Sequence, residues 1–327
     1  MKKAIDSPVI AIDIGGTKIL TALFSPEGRV LAKNVSPTLA RQGLDDTVAR
    51  MFGIIQDLLD ANNISPAALG GIGVAAAGGV DTARGVVVTP SPHLPDWRGA
   101  RLGEKFKAKF GVNAWILNDA SAAALGEHRF GAGKGVKDLV LFTLGTGIGG
   151  GIIIDGKLYL GAVGGAGELG HITIEAHGLK CGCGNTGCLE MYASGSAIER
   201  FARERITTGE ATLLASYLQK SDNGISAEAV AAAAHKGDKP AREVIAQASF
   251  YLGVGFVNVI NIFNPEMIIY GGGLAELGDV LIKPAVALAM ERSFSISSGA
   301  VRIAKAALGN EAGVYGAAAF ALDKVRR

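Results

Sequence analysis

With 327 residues, 49% of them hydrophobic, the chain is long enough for two medium domains and apolar enough to give each a core. Its net charge of +2 is carried without any long Lys/Arg run, which excludes the concentrated basic face of a nucleic-acid binder. No stretch offers about 18 uninterrupted apolar residues for a membrane helix, and MKKAIDSPVIAIDIGG lacks the apolar run and small-residue cleavage site of a secretory leader, so a cytoplasmic protein with reduced thiols and no membrane partner is expected.

In chain order, VIAIDIG (Val9–Gly15) reads as a buried strand, and KILTALFS (Lys18–Ser25) and RVLAKNV (Arg29–Val35) follow at hairpin distances. Apolar residues at helical spacing, Leu44, Val48, Met51, Ile55 and Leu59 among them, predict a helix over 44–62. GIGVAAAG (Gly71–Gly78) and AWILND (Ala114–Asp119) are strands, and Asp119–Gly131 is an Ala-rich helix. The opening pattern then returns: DLVLFTLGTGIGGGIIIDGKLYLG (Asp138–Gly161) is again strand, glycine turn, strand, turn, strand. A long helix near Pro240–Phe263, a strand at Glu266–Gly273, a helix near Val280–Arg292, a strand at Val301–Lys305 and a helix at Ala312–Lys324 close the chain. A repeated unit predicts two similar α/β domains. Residues 1–118 with the C-terminal helix (about 311–327) form the first, and 119–310 the second.

Glycine is the compositional outlier, at 47 copies against 10 prolines, and it clusters at strand ends. The turns DIGGTK and LGTGIGGG occupy equivalent places in the two repeats, and backbone N–H groups in such turns make concave anion sites. Gly15, Gly16, Thr17 and Lys18 in one, with Gly145, Thr146 and Gly147 in the other, are therefore the candidate phosphate ligands. Asp13, ending the first strand, is placed to hold Mg²⁺ through water. There is no Walker loop, and GTGIGG is followed by a strand where a dinucleotide fingerprint needs a helix. A β-branched side chain at Gly147 is expected to crowd the phosphates and to resist positive φ.

AIDIGGTK and LGTGIGGG resemble the phosphate motifs of the actin-like ATPase and sugar-kinase fold, and NDASAAALGE, GELGH and CGCGNTGCLE resemble the ROK family within it, over nearly the whole chain. That resemblance implies two α/β domains of the ribonuclease H-like type, each with a five-stranded mixed sheet, and ATP and sugar bound between them. The three cysteines, Cys181, Cys183 and Cys188, lie within eight positions, and His171 in GELGH supplies a fourth ligand. The set has the composition of a closed tetrahedral zinc site, and the resemblance assigns these four residues to a structural zinc.

Asp119 sits where a strand meets a helix, a common place for a capping aspartate, but the resemblance implies that it is the general base, preceded by a sugar-binding Asn118. Glu168, His171, Glu190 and the Gly78–Gly79 backbone are expected to hold sugar hydroxyls, and Gly271, Gly272 and Gly273 to contact adenosine. His93 stands where related glucokinases often carry Asn, and His128, His177 and His235 are expected at the surface. The implied activity is ATP-dependent phosphorylation of a hexose, glucose first, by a homo-oligomer, dimer or tetramer. N-acetylmannosamine and N-acetylglucosamine kinases are the nearest alternatives, and a non-catalytic sugar sensor a distant one. The turns themselves do not separate ATP from ADP or polyphosphate.

Overall fold

The structure is a computed structural model that describes residues 7–91, 94–210, 212–218 and 224–326. His93 lies outside the described residues. The chain opens with β1 (Val9–Ile14), β2 (Lys18–Phe24) and β3 (Val30–Pro37), then α1 (Leu44–Ala61) and β4 (Gly71–Ala76). A hairpin, β5 (Gly78–Asp81) and β6 (Val86–Pro90), precedes α2 (Leu102–Phe110), β7 (Ala114–Asn118) and α3 (Asp119–Phe130). The strand pattern restarts with β8 (Leu139–Leu144), β9 (Ile148–Ile154) and β10 (Lys157–Leu158). Helices α4 (Glu190–Ala193), α5 (Gly195–Thr207), α6 (Leu214–Leu218), α7 (Ala227–His235) and α8 (Lys239–Phe263) follow. The last elements are β11 (Met267–Gly271), α9 (Ile282–Arg292), α10 (Ser295–Ser298), β12 (Arg302–Lys305) and α11 (Ala312–Val325).

Two five-stranded sheets share one strand order, β3-β2-β1-β4-β7 and β10-β9-β8-β11-β12. In the first, β2 pairs antiparallel with β1 and β3, while β1–β4 and β4–β7 are parallel. In the second, β9–β10 is antiparallel and β8–β11 and β11–β12 are parallel. The repeat read in the sequence is therefore a repeat of topology, and both sheets are mixed. Central strands such as β1 and β4 are covered on both faces, which is why they read as unbroken apolar runs and not as alternation.

The chain divides into two compact units. One takes the chain as far as Lys137, Gly151–Gly167 and everything from Ala307; the other takes Asp138–Gly150 and Glu168–Ala306. The C-terminal helix lies in the first unit, and the division after residue 118 does not coincide with this one. Helix α3 stays with the first unit because it packs backbone to backbone on α11. A Cβ on Gly126 would fall 2.9 Å from the Gly316 nitrogen, and one on Gly316 would overlap Ala122. Neither helix can move away without opening that seam.

The core of the first unit is built from Ile10, Ile12, Ile14, Met51, Ile55, Val74 and Phe106, with Trp97 buried beside them. Phe52 meets Phe106 and Phe110 edge to face, at centroid distances of 5.3 and 5.5 Å. In the second unit α8 is the central helix, with α4, α5, α7 and α9 against it. Its N-cap Asp238 accepts from Ala241 N at 3.1 Å, with Pro240 in the first turn. By length and hydropathy this 25-residue helix could cross a membrane. One face of it, with Val244, Ile245, Ala248, Leu252, Phe256 and Val259, is instead buried within the unit, while Phe250 is exposed.

Candidate functional site

In the first unit, β1 delivers Asp13 to the strand end and the β1–β2 turn follows. The turn is pinned at both ends: Gly15 N donates to Lys18 O (3.0 Å), Thr38 Oγ1 to Gly15 O (2.6 Å), and Thr38 N to Thr17 O (2.9 Å). Thr17 and Lys18 are exposed, their side chains available to a ligand. Asp13 keeps some exposure as a residue, but its carboxyl is shielded. Burial first, and the neighbouring Asp119 charge second, push its pKa up to about 7 against the opposing pull of Lys18. The first turn of α11 lies on this carboxylate: a Cβ on Gly313 would fall 2.7 Å from Asp13 Cγ. Glycine is required there, and the start of a helix favours a negative charge.

The β7–α3 junction settles which residue caps the helix. Asn118 Oδ1 accepts from Ser121 N (3.0 Å), so Asn118 is the N-cap and Asp119 the first helical residue. Asn118 Nδ2 donates to Gly78 O (3.0 Å) and to Asp119 Oδ1 (2.9 Å). Asp119 Oδ1 also accepts from Ala120 N at 2.9 Å. The aspartate is thus oriented by two donors and carries no capping duty, contrary to the simple capping alternative. Gly78, at φ 102, lies so close to Thr89 O that no side chain fits.

In the second unit the turn Gly145–Gly147 is closed by Gly145 N donating to Gly147 O (2.9 Å). The start of α5 holds it, with Gly195 N on Gly145 O at 2.8 Å and Ser196 N on Thr146 O at 3.3 Å. Glu190 Oε2 accepts from Ile148 N at 2.9 Å, and a Cβ on Gly147 would sit 3.1 Å from Glu190 Cδ. Neither Gly145 nor Gly147, nor Gly15 nor Gly16, has a left-handed φ. The positive φ expected at Gly147 is thus not found, and Glu190 crowds the space that a side chain there would take. Glu168 precedes the short 3₁₀ turn Leu169–His171, whose Gly170 packs on Ile148. Glu168, His171, Glu190 and the Gly145–Gly147 turn therefore gather about one strand end. Gly272, at φ 91, begins the 3₁₀ segment Gly273–Val280 and backs onto Leu144 O.

The predicted metal set comes together. One ligand atom from each of His171, Cys181, Cys183 and Cys188 lies within 4.8 Å of the others. Cys181 Sγ is 3.6 Å from His171 Nδ1, and Cys183 Sγ 3.7 Å from Cys188 Sγ. A tetrahedral ion with metal–sulfur bonds of about 2.3 Å requires ligand separations of about 3.8 Å, so the set fits zinc. With Nδ1 turned to the thiols, Nε2 is the ring nitrogen left to other partners. Burial raises the Cys181 and Cys188 thiols, the latter to about 12, so paired thiolates there call for a cation. The loop is folded by its own backbone: Cys181 N donates to Asn185 O (2.9 Å) and Gly187 N to Leu179 O (2.8 Å). Asn185 Nδ2 braces Thr173 Oγ1 (2.8 Å) and Cys188 Sγ (3.4 Å).

Two residues escaped the sequence reading. Gly313 is one; its signal is the pairing with Gly316 at the head of an alanine-rich helix. Glu127 is the other, a lone acid in AAALGEH, wholly buried and accepting from Ala132 N (2.8 Å), Ala307 N (3.0 Å) and Leu308 N (2.7 Å). His128, expected at the surface, is half-buried, with Nε2 2.9 Å from Val136 O, while His177 and His235 are exposed.

Two sheets of one topology, each opening on a glycine turn after its first strand, define the actin-like ATPase and sugar-kinase class of fold. Residues 9–324 match the family model described as ROK family, and the chain belongs to that family. It is 35% identical over 320 residues to a glucokinase of Thermotoga maritima, covering 97% of this chain and 98% of that one. It is 30% identical to the xylose repressor of Bacillus subtilis, covering 96% of this chain and 77% of the repressor. A ROK family glucokinase from Streptomyces griseus, solved in complex with glucose and AMPPNP, superposes with a TM-score of 0.78 at 34% identity, covering 96% and 98% of the two chains.

Proposed function

We propose that this chain is an ATP-dependent hexose kinase whose principal acceptor is glucose and whose product is glucose 6-phosphate. The observation that carries the reading is at the head of α3: Asn118 takes the cap, and Asp119 is held by Asn118 Nδ2 and Ala120 N beside the charge of Asp13. A carboxylate so placed can accept the proton of a sugar hydroxyl as its oxygen attacks the γ-phosphorus. Asn118, Glu168, His171 Nε2, Glu190 and the Gly78–Gly79 backbone would bind the sugar hydroxyls, each of which both donates and accepts. The Gly15–Lys18 and Gly145–Gly147 turns would take the phosphates, and Gly271–Gly273 the adenosine. Asp13 would hold Mg²⁺, which neutralises charge on the transferring phosphoryl group. The Cys₃His set would hold a structural zinc that fixes His171 and has no open position for chemistry.

The relatives named glucokinase, and the Streptomyces griseus structure with glucose and AMPPNP, support glucose and ATP. The similarity to a xylose repressor supports a second reading, a sugar-binding regulator. Against it, both glycine turns and Asp119 are present, and a sensor has no use for a base. Measuring kcat/KM with glucose, mannose, fructose, N-acetylmannosamine and N-acetylglucosamine, each with ATP, ADP and polyphosphate, tests the proposal. Glucose with ATP should rank first. Sugar binding without transfer from any donor would establish the regulator reading, and preference for an N-acetyl sugar would replace glucose.

A further inference from the structure

The first unit carries a cavity of about 640 Å³ that none of the candidate site residues lines. Its walls are the β5–β6 turn, the end of α3, the chain from Gly156 to Gly164, and the end of α11. Helix α3, with 12 residues, is about 18 Å long, and Asp119 is at its other end. The cavity is therefore separate from the Asp13–Asp119 site of the same unit.

Its charge is distinctive. Five cations line it: Arg84, Arg129, Lys157, Lys324 and Arg326. Two carboxylates oppose them, Asp81 and Asp323. Arg129 is spent on Asp323, with Nη2 at 2.5 and 2.6 Å from the two oxygens. Arg84 makes only a 3.6 Å pair with Asp81. Lys157 has no hydrogen bond or ion pair among the described residues, and the Lys324 ammonium lies over the Phe320 ring, 5.1 Å from its centroid. Arg326 gives one nitrogen to Pro26 O at 2.7 Å. Three positive charges thus face the cavity uncompensated, in a molecule whose net charge is only +2. Lys157 on β10 meets Lys324 and Arg326 at the end of α11, far away in the chain, so the surplus is made by the fold. Thr82, also in the lining, has a shielded Oγ1 with no hydrogen-bond partner. Leu125, Leu158, Leu160 and Phe320 supply apolar wall between the charges.

We infer that this cavity is a binding site for a small organic phosphate monoester, the dianion held by Lys157, Lys324 and Arg326 and the organic body against the leucines and Phe320. The volume is within the range of about 300–1,000 Å³ usual for small-molecule sites. Lysine and arginine donors at uncompensated positions select the phosphoryl group over a neutral sugar.

Calorimetric titration of the full chain, with saturating glucose and AMPPNP present, tests this with glucose 6-phosphate and inorganic phosphate as probes. The binding is read directly, so the result does not depend on turnover, and the charge variants separate this cavity from the sugar site whichever sugar that site prefers. The wild type should bind glucose 6-phosphate saturably and more tightly than inorganic phosphate. Lys157→Glu with Lys324→Glu should weaken it by about tenfold or more, and Lys157→Ala less, while Lys107→Glu on the exposed face of α2 should leave it unchanged. Melting temperatures show whether the double variant is folded, and Lys157→Ala decides the question if it is not. No saturable binding up to about 10 mM, a range in which even weak sites fill, would overturn the proposal. So would unchanged affinity in folded charge variants. Equal affinity for inorganic phosphate and the ester would overturn the assignment of an organic body.

Discussion

At the residue scale, the decisive pair is Asp13 and Asp119. Asp119→Asn keeps a carbonyl oxygen for Asn118 Nδ2 and Ala120 N and leaves the Asn118 cap untouched. The variant should therefore melt as the wild type does, while kcat falls by about 10²–10⁴-fold, the range for loss of a general base. A kcat near that of the wild type would remove Asp119 from the chemistry. Asp13 predicts a pH effect. Its folded pKa of about 7 lies above the unfolded value of 3.8, so between those pH values the folded chain holds a proton that the unfolded chain releases. This group therefore lowers stability as pH rises from about 4 to about 7, and the loss persists above that. Asp13→Asn removes the buried charge. It should raise the melting temperature at pH 8 more than at pH 5, and abolish turnover if Asp13 holds Mg²⁺ as proposed. A gain that is the same at both pH values would contradict the raised pKa.

At the scale of elements, the β8–β9 turn and the thiol loop converge on Glu190 and His171. Gly147→Val would push Glu190 off Ile148 N, so both glucose affinity and ATP affinity should fall by about tenfold or more, the cost of a lost charged hydrogen bond. Affinities measured separately by calorimetry decide this. A loss confined to ATP would place Glu190 outside the sugar site. The thiol loop has no regular helix or strand between Thr173 and Cys188, only isolated bridges and turns, so its ligand set adds to the order its backbone bonds supply. Cys183→Ser should lose the metal, about one equivalent per chain, together with stability, because binding a structural zinc is folding free energy. A metal-free, fully folded and fully active protein would sink the zinc assignment.

On the whole-molecule scale, metal removal should act unevenly. Hydrogen exchange after chelation should lose protection over residues 168–195, with β1 and β4 in the first unit unchanged, since those strands are held by their own core. Loss of protection across both units together would show that the zinc loop supports the entire fold. What the sequence by itself determined is the repeated strand–turn–strand unit, the ligand set His171, Cys181, Cys183 and Cys188, and the acid after Asn118. Each is local: strand periodicity, thiol density and a strand–helix junction are written within a few residues. Only the tertiary structure decided the rest. Asn118, and not Asp119, is the cap because Gly78 O and Ser121 N reach it from opposite sides. Gly147 is crowded by Glu190, 43 residues later in the chain. Gly313 is glycine because Asp13 lies beneath it. The assignment of α3 to the first unit, and the gathering of Lys157, Lys324 and Arg84 around one cavity, likewise depend on segments far apart in the chain. Close packing sets such positions, and it is a property of neighbours in space that periodicity along the chain does not encode.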